Sequence, residues 1–290
     1  MEINEQLQQY RQGIEAYLHQ YYKNFSCEPQ QLLFESIEYS LLAGGKRLRS
    51  TLLFEFCRLC GCNWEKAIPF GAAIEMIHTY SLIHDDLPCM DNDDFRRGIP
   101  TNHKIYGETV AVLAGDALLT DAFTVATSAQ LPPACIIEAI QVLAECAGSL
   151  GMVGGQLLDL QSERRTLSEQ EVLDIQSRKT GALIRAACAM GAIAAGASDR
   201  QFDAACQFAA GIGLAFQIRD DMLDVIGSEE ELGKRVGTDE TKNTFVRLYG
   251  LEHCEHLVKQ YTEYALSALD VFADTNFLRG LSLQLTQRMK

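Results

Sequence analysis

The sequence predicts an all-α fold, and three observations carry that expectation. None of the six prolines in the 290 residues lies beyond Pro133, so the second half lacks the residue that breaks helices outright. Stretches such as "TGALIRAACAMGAIAAGA" (180–197) are rich in alanine and repeat apolar residues three and four apart, the spacing of a buried helix face. No alternating strand pattern with hairpin dipeptides competes over a comparable length. With no linker, repeat or low-complexity segment, residues 1–290 are expected to form one domain.

In chain order, "IEMIHTYSLIH" (74–84) is an apolar helical run leading into Asp85, and Pro88 breaks that helix two residues after Asp86. The turn that follows brings Asp91 back towards Asp85. "GSLGMVGG" (148–155) superficially suggests a dinucleotide loop. No strand precedes it and its glycines are in the wrong order, so it reads as close helix packing. Ser168 precedes "EQEVLDIQSRK" with Glu171 three residues on, a capping-box start. Ser198-Asp199 opens the long run "RQFDAACQFAAGIGLAFQIRDDMLDVIG", for which Gly227 offers a stop. Cys57, Cys60 and Cys62 are the only close cysteine trio. They lack an obvious fourth ligand and read as small core residues.

A hydrophobic fraction of 47% with 22% charged residues is that of an ordinary globular protein with room for a large core. The net charge of −14 argues against a nucleic-acid partner. It leaves anionic small molecules open, because a local cluster of cations or a bound metal reverses the field within one cleft. Ten cysteines follow an opening, "MEINEQLQQYRQG", with neither a basic start nor an apolar signal core. The expectation is a cytoplasmic protein with free thiols and no membrane span.

Two acidic clusters stand out. "HDDLPCMDNDD" holds Asp85, Asp86, Asp91, Asp93 and Asp94, and "FQIRDDMLDV" holds Asp220, Asp221 and Asp224. On a helix Asp220 and Asp224 are one turn apart, and Gln217 lies four before Asp221 on the same face. A solvated acidic face is the plain explanation for either cluster alone. Their apolar flanks argue otherwise, since buried like charges need compensation. Mg²⁺, a hard cation that takes oxygen ligands and shares them with substrate phosphates, supplies the missing charge. Basic residues complete the pattern: Lys46, Arg47 and Arg49 follow Gly44-Gly45, Arg96-Arg97 follow the first cluster, and Lys179 and Lys234 stand singly. Together with the carboxylates they suggest two phosphate-bearing ligands.

These residues resemble the trans-isoprenyl diphosphate synthases, and most of all the bacterial-type short-chain farnesyl diphosphate synthases. The likeness runs through "GGKRLR" (44–49), "HDDLPCMDNDDFRRGIPTNH" (84–103), "AGDALL" (114–119), "GGQLLDL" (154–160), "KTG" (179–181), "FQIRDDMLDV" (216–225) and "LGKRVGTD" (232–239). It implies antiparallel helices around a deep central cavity, usually in a homodimer. The implied reaction is Mg²⁺-dependent: an allylic diphosphate, dimethylallyl or geranyl, ionises and is attacked by isopentenyl diphosphate, and a proton is then lost. By position, Asp85, Asp86, Asp91 and Asp220, with Asp221 and Asp224, hold the metal ions. Arg96, Lys179, Gln217 and Lys234 contact the allylic diphosphate. Gly45, Lys46, Arg49, His78 and Arg97 cradle isopentenyl diphosphate. Phe216, Gln217 and Thr180 stabilise the cation. The resemblance makes Tyr80, five before Asp85, the floor that stops growth at farnesyl, with Ser81 beside it. A geranylgeranyl diphosphate synthase remains the alternative, and a non-catalytic regulatory subunit of a prenyl synthase a further one. Two departures are visible. Ser50 stands where the family often has proline, and "GTDETKNTFVRL" is about two residues shorter than the usual lid, with Phe245-Val246 replacing Tyr-Pro and Lys242 displaced.

Overall fold

The computed structural model describes residues 3–25, 27–162, 165, 167–226 and 244–287. The first helices are α1 (Ile3–Lys23), α2 (Gln31–Leu41), α3 (Leu48–Leu59), a 3₁₀ turn (Trp64–Ala67) and α4 (Ile68–Asp85). A two-residue hairpin, β1 (Phe95–Arg96) and β2 (Ile99–Pro100), leads to α5 (Asn102–Tyr106), α6 (Glu108–Thr127), α7 (Pro133–Ala147) and α8 (Met152–Ser162). Then come α9 (Glu169–Gln176), a π-helical turn (Ser177–Gly181), α10 (Ala182–Ala194), α11 (Asp199–Ile226), α12 (Phe245–Ala268) and α13 (Asn276–Thr286). The all-α expectation holds, and the helix starts lie where the capping residues put them. At α9, Glu171 Oε2 accepts the Ser168 N–H at 2.9 Å while Ser168 Oγ accepts the Glu171 N–H. α11 begins at Asp199, with Ser198 and Gln201 exchanging the equivalent pair of bonds. Gly227, the expected stop, lies outside the described residues.

Two helices form the inner frame. α10 is buried on every side from Ala186 to Ala194, as a helix that is apolar all round must be. Small residues let it pack tightly against α3: a Cβ on Gly191 would stand 2.2 Å from the Leu53 carbonyl oxygen. α4 is likewise buried from Phe70 to Ile77 and packs on α6 and α3. Phe54, Phe56, Phe70 and Phe208 are fully buried in this main core, each contributing about 1.5–3 kcal/mol of burial energy. A smaller apolar cluster, including Ile218, Met222, Phe245 and Val258, joins α9, α11 and α12.

The peripheral helices are less covered. Glu108–Thr127 and Pro133–Ser162 are long and apolar enough to cross a membrane by length and composition, which the sequence reading did not anticipate. The second stretch is interrupted at Gly148–Gly151, where Gly151 N–H bonds to the Gly148 carbonyl in a turn. Both leave large apolar side chains open, among them Leu113, Ile137, Leu150 and Val153.

Candidate active site

α4 ends at Asp85, and Asp86 closes it. The chain then turns back as expected: Asp91 N–H donates to the Asp85 carbonyl at 2.9 Å, and Asn92 takes the left-handed conformation at φ 53°. Burial pushes the Asp85 carboxyl up to about 6; nearby Asp91 and Asp86 add to that, and the Lys179 ammonium opposes it. Its Oδ1 accepts the Gln156 Nε2 at 3.1 Å. Asp86 is 3% exposed and gripped by Arg96, whose Nε lies 2.7 and 2.9 Å from the two oxygens and whose Nη2 lies 2.5 Å from Oδ1. The hairpin delivers this arginine. Arg97 and Gly98 at its tip have φ 55° and 78°, the two positive angles of a type I′ turn.

The basic residues gather beside it. Gly44 and Gly45, at φ 83° and 125°, form a loop onto which Arg97 folds, donating from Nη1 to the Gly44 carbonyl. A Cβ on Gly45 would meet the Arg97 guanidinium at 2.9 Å, so the glycine makes room for the cation. Burial, reinforced by Arg49, Arg97, Arg96 and Arg47, holds the His78 imidazole well below its ordinary range, and it stays neutral. Arg49 is itself pulled down to about 10 by burial and by Arg97, with Glu75 offsetting part of the shift. The Arg49 Nε is buried without a hydrogen-bond partner among the described residues. Lys46 is exposed, and its carbonyl accepts two bonds from Arg11 at 3.3 Å.

Asp85 from the first group and Arg49 and His78 from the second open onto a cavity of about 440 Å³, whereas Asp86, Arg96 and Arg97 line a separate pocket with Tyr39 and Thr101. Arg49, His78, Asp85, Gln156, Lys179 and Thr180 supply its polar lining, and Tyr80, Leu82, Met90, Met152 and Leu157 its apolar one. Tyr80, 6% exposed, sets its ring at 5.8 Å from that of His84. His84 in turn fills the space left by Gly115 of "AGDALL", where a Cβ would come within 2.1 Å of Nε2. Ser81 also lines the cavity, its hydroxyl donating to the His78 carbonyl.

The second acidic cluster is tied to the same cavity through side-chain bonds. Thr180 Oγ1 donates to Gln217 Oε1 at 3.0 Å, Gln217 Nε2 donates to Asp221 Oδ1 at 2.9 Å, and the Phe245 N–H donates to Asp221 Oδ2 at 3.0 Å. Asp221 and Asp224 are buried, Asp220 is half-buried, and half-buried Phe216 packs on the main core. Lys179 stands on the π turn with its ammonium 2.6 Å from Asp159 Oδ2. Among the described residues no three carboxylate, histidine or cysteine side chains converge as a ready metal cage. The donor set still fits a hard dication that shares its shell with phosphate oxygens, because the partly buried carboxylate of Asp85 is short of positive charge. Lys234, Lys242 and all of "LGKRVGTD" lie outside the described residues.

Residues 30–269 match the polyprenyl synthetase family. The chain belongs to that family. It is 46% identical over 264 residues to the farnesyl diphosphate synthase of Micrococcus luteus, covering 90% of this chain and 91% of that one. It is 47% identical over 261 residues to the geranylgeranyl diphosphate synthase of Cyanophora paradoxa, covering 85% and 86%. Among solved structures, the Helicobacter pylori geranyltransferase complexed with magnesium and isoprenyl diphosphate superposes with a TM-score of 0.82 at 35% identity, over 97% of this chain and 96% of that one.

Some residues of this polyprenyl synthetase site were not singled out by sequence reasoning. Gln156 and Asp159, which bond Asp85 and Lys179, stand three apart on α8 inside "GGQLLDL". Their spacing on one helix face beside the pair Gly154-Gly155 was the available signal. Gly155 has a direct reason to lack a side chain, since a Cβ there would sit 2.4 Å from the Lys179 backbone nitrogen. The π turn carrying Lys179 and Thr180 has no counterpart in the helical periodicity of the sequence.

Proposed function

We propose that this polyprenyl synthetase is a Mg²⁺-dependent farnesyl diphosphate synthase that joins isopentenyl diphosphate to dimethylallyl and geranyl diphosphates. The observation that carries the reading is the cavity itself: an acid and a lysine at Asp85 and Lys179, a neutral histidine and an arginine at His78 and Arg49, and an apolar lining that includes Tyr80. In this reading residues 1–290 work as one domain. Asp85, Asp86, Asp91 and Asp220, with Asp221 and Asp224, hold the ions, which when bound neutralise charge on the allylic diphosphate as it leaves.

The chain's own groups do the rest. Arg96, Lys179, Gln217 and Lys234 hold the allylic diphosphate and stabilise it as it departs. Gly45, Lys46, Arg49, His78 and Arg97 orient isopentenyl diphosphate so that its double bond faces the allylic carbon. Phe216, Gln217 and the Thr180 backbone stabilise the resulting cation, and the apolar lining keeps water from quenching it. The double bond of isopentenyl diphosphate is the nucleophile and the proton lost at the end goes to the released pyrophosphate, so neither a side-chain nucleophile nor a side-chain base is needed. Tyr80 closes the cavity at the length of a farnesyl chain.

Geranylgeranyl diphosphate is the second product to test, given the similarity to the Cyanophora synthase. Incubation with labelled isopentenyl diphosphate and each allylic starter, with and without Mg²⁺, decides between them: farnesyl product that disappears with chelator is expected, and metal-independent turnover would overturn the reading. The open apolar side chains of α6 and α7, Leu113 and Ile137 among them, support a homodimer. Ten free thiols support a reducing, cytoplasmic setting.

A further inference from the structure

Glu75 has no role in the site as assigned above, yet two of its elements meet at this carboxylate. It is 2% exposed on α4, three residues before His78. Oε1 accepts the Ser50 N–H at 3.1 Å and the Ser50 hydroxyl at 2.9 Å, while Oε2 faces the Arg47 Nη1 at 3.5 Å. Arg47 is the N-cap residue immediately before α3. Its side chain makes no capping bond to α3, and its backbone is left-handed at φ 47°. Ser50 is therefore the third residue of α3, where the N–H has no partner within the helix. Glu75 supplies that partner from a neighbouring helix and places a negative charge at the positive end of α3. A second bond, from Arg47 Nη2 to the Leu41 carbonyl at 2.7 Å, closes the other side of the junction. Arg49, between the two anchored residues, is left with its Nε unpartnered next to His78.

We propose that Glu75 is a positioning residue for the isopentenyl diphosphate subsite: by capping α3 from α4 through Ser50 and Arg47, it holds Arg49 beside His78 in the orientation that receives a diphosphate. The inference rests on the assignment of that subsite given under the proposed function.

Charge alone and position predict opposite outcomes, which makes the test sharp. A buried carboxylate that merely lay near the subsite would repel a diphosphate, so Glu75→Gln would tighten binding. A positioning carboxylate predicts weaker binding. Calorimetry with inorganic diphosphate in excess chelator, where the metal-dependent site is silent, is expected to show affinity falling roughly tenfold in Glu75→Gln. The neutral variant Ser50→Ala is expected to lose roughly threefold, and to add nothing in the Glu75→Gln background. In turnover, KM for isopentenyl diphosphate rises while KM for geranyl diphosphate stays within about twofold. Unchanged or tighter diphosphate binding in Glu75→Gln, additive losses in the double variant, or a parallel rise of both KM values would overturn the proposal. If Glu75→Gln does not fold, Ser50→Ala decides by the same measurements, with unchanged affinity counting against it. A wild-type protein that binds diphosphate but makes no prenyl product would sink the functional reading and leave the binding comparison to judge Glu75.

Discussion

Asp85, proposed above to hold a metal ion, illustrates what burying a carboxylate costs in stability. Its carboxyl titrates near 6 in the folded chain against an ordinary 3.8, chiefly because burial disfavours the ionised form. Between those values the folded chain holds more protons than the unfolded one, so stability falls as pH rises through the window and the full cost is present above it. Asp85→Asn is expected to stabilise the chelator-treated protein by about 2–3 kcal/mol at pH 7.5, with the advantage shrinking towards pH 4 in urea titrations. The same change is expected to lower prenyl transfer by on the order of 100-fold. Tyr80→Ala tests the other end of the cavity: removing the ring opens space beside His84, and products longer than farnesyl are the expected result on chromatography. Most of these side chains were legible from residue type and spacing. Arg96 was expected on a diphosphate, and in this structure it lies on Asp86, a pairing that depends on a turn of unusual composition.

At the scale of elements, the close approach of α8 to the π turn sets where Lys179 sits. Gly155→Ala would drive a methyl group to 2.4 Å from the Lys179 nitrogen, and backbone cannot yield there as a flexible side chain can. The expected outcome is a loss of about 1–3 kcal/mol in chemical denaturation together with a fall in turnover. The capping box of α9 is a gentler test. Ser168→Ala removes the acceptor for the Glu171 N–H and is expected to cost about 1 kcal/mol, read from the shift in denaturation midpoint. Helix starts were readable because caps are local: Ser168 and Ser198 act on residues three positions away. The π turn was not, since one extra residue inside a continuous helical run leaves the apolar spacing on either side intact. The short hairpin escaped for a related reason, as Arg97-Gly98 is not a dipeptide that announces a tight turn.

For the molecule as a whole, the apolar face on α6 and α7 calls for a cover. In the proposed homodimer Leu113 lies on the shared face, so Leu113→Glu is expected to give a monomer where the unaltered protein gives a dimer in light scattering coupled to size exclusion, with little change in helix content, and an unaltered protein that is monomeric would overturn that proposal. The all-α architecture was legible from proline distribution and apolar period. The clustering of Arg47, Arg49, Arg96 and Arg97 around one histidine was not, because it joins a glycine loop, a hairpin and the middle of α4 through contacts that no local pattern encodes. Two of the acids already hold a cation within the protein: Asp86 pairs with Arg96 and Asp159 with Lys179. In the proposed reading, a bare ion held by Asp86 would displace the Arg96 guanidinium, whose other carboxylate contact among the described residues is Asp93 at 3.7 Å. One that travels with its diphosphate offers that guanidinium a replacement anion in the same event, so cargo and counterion should load together, and either alone should bind feebly.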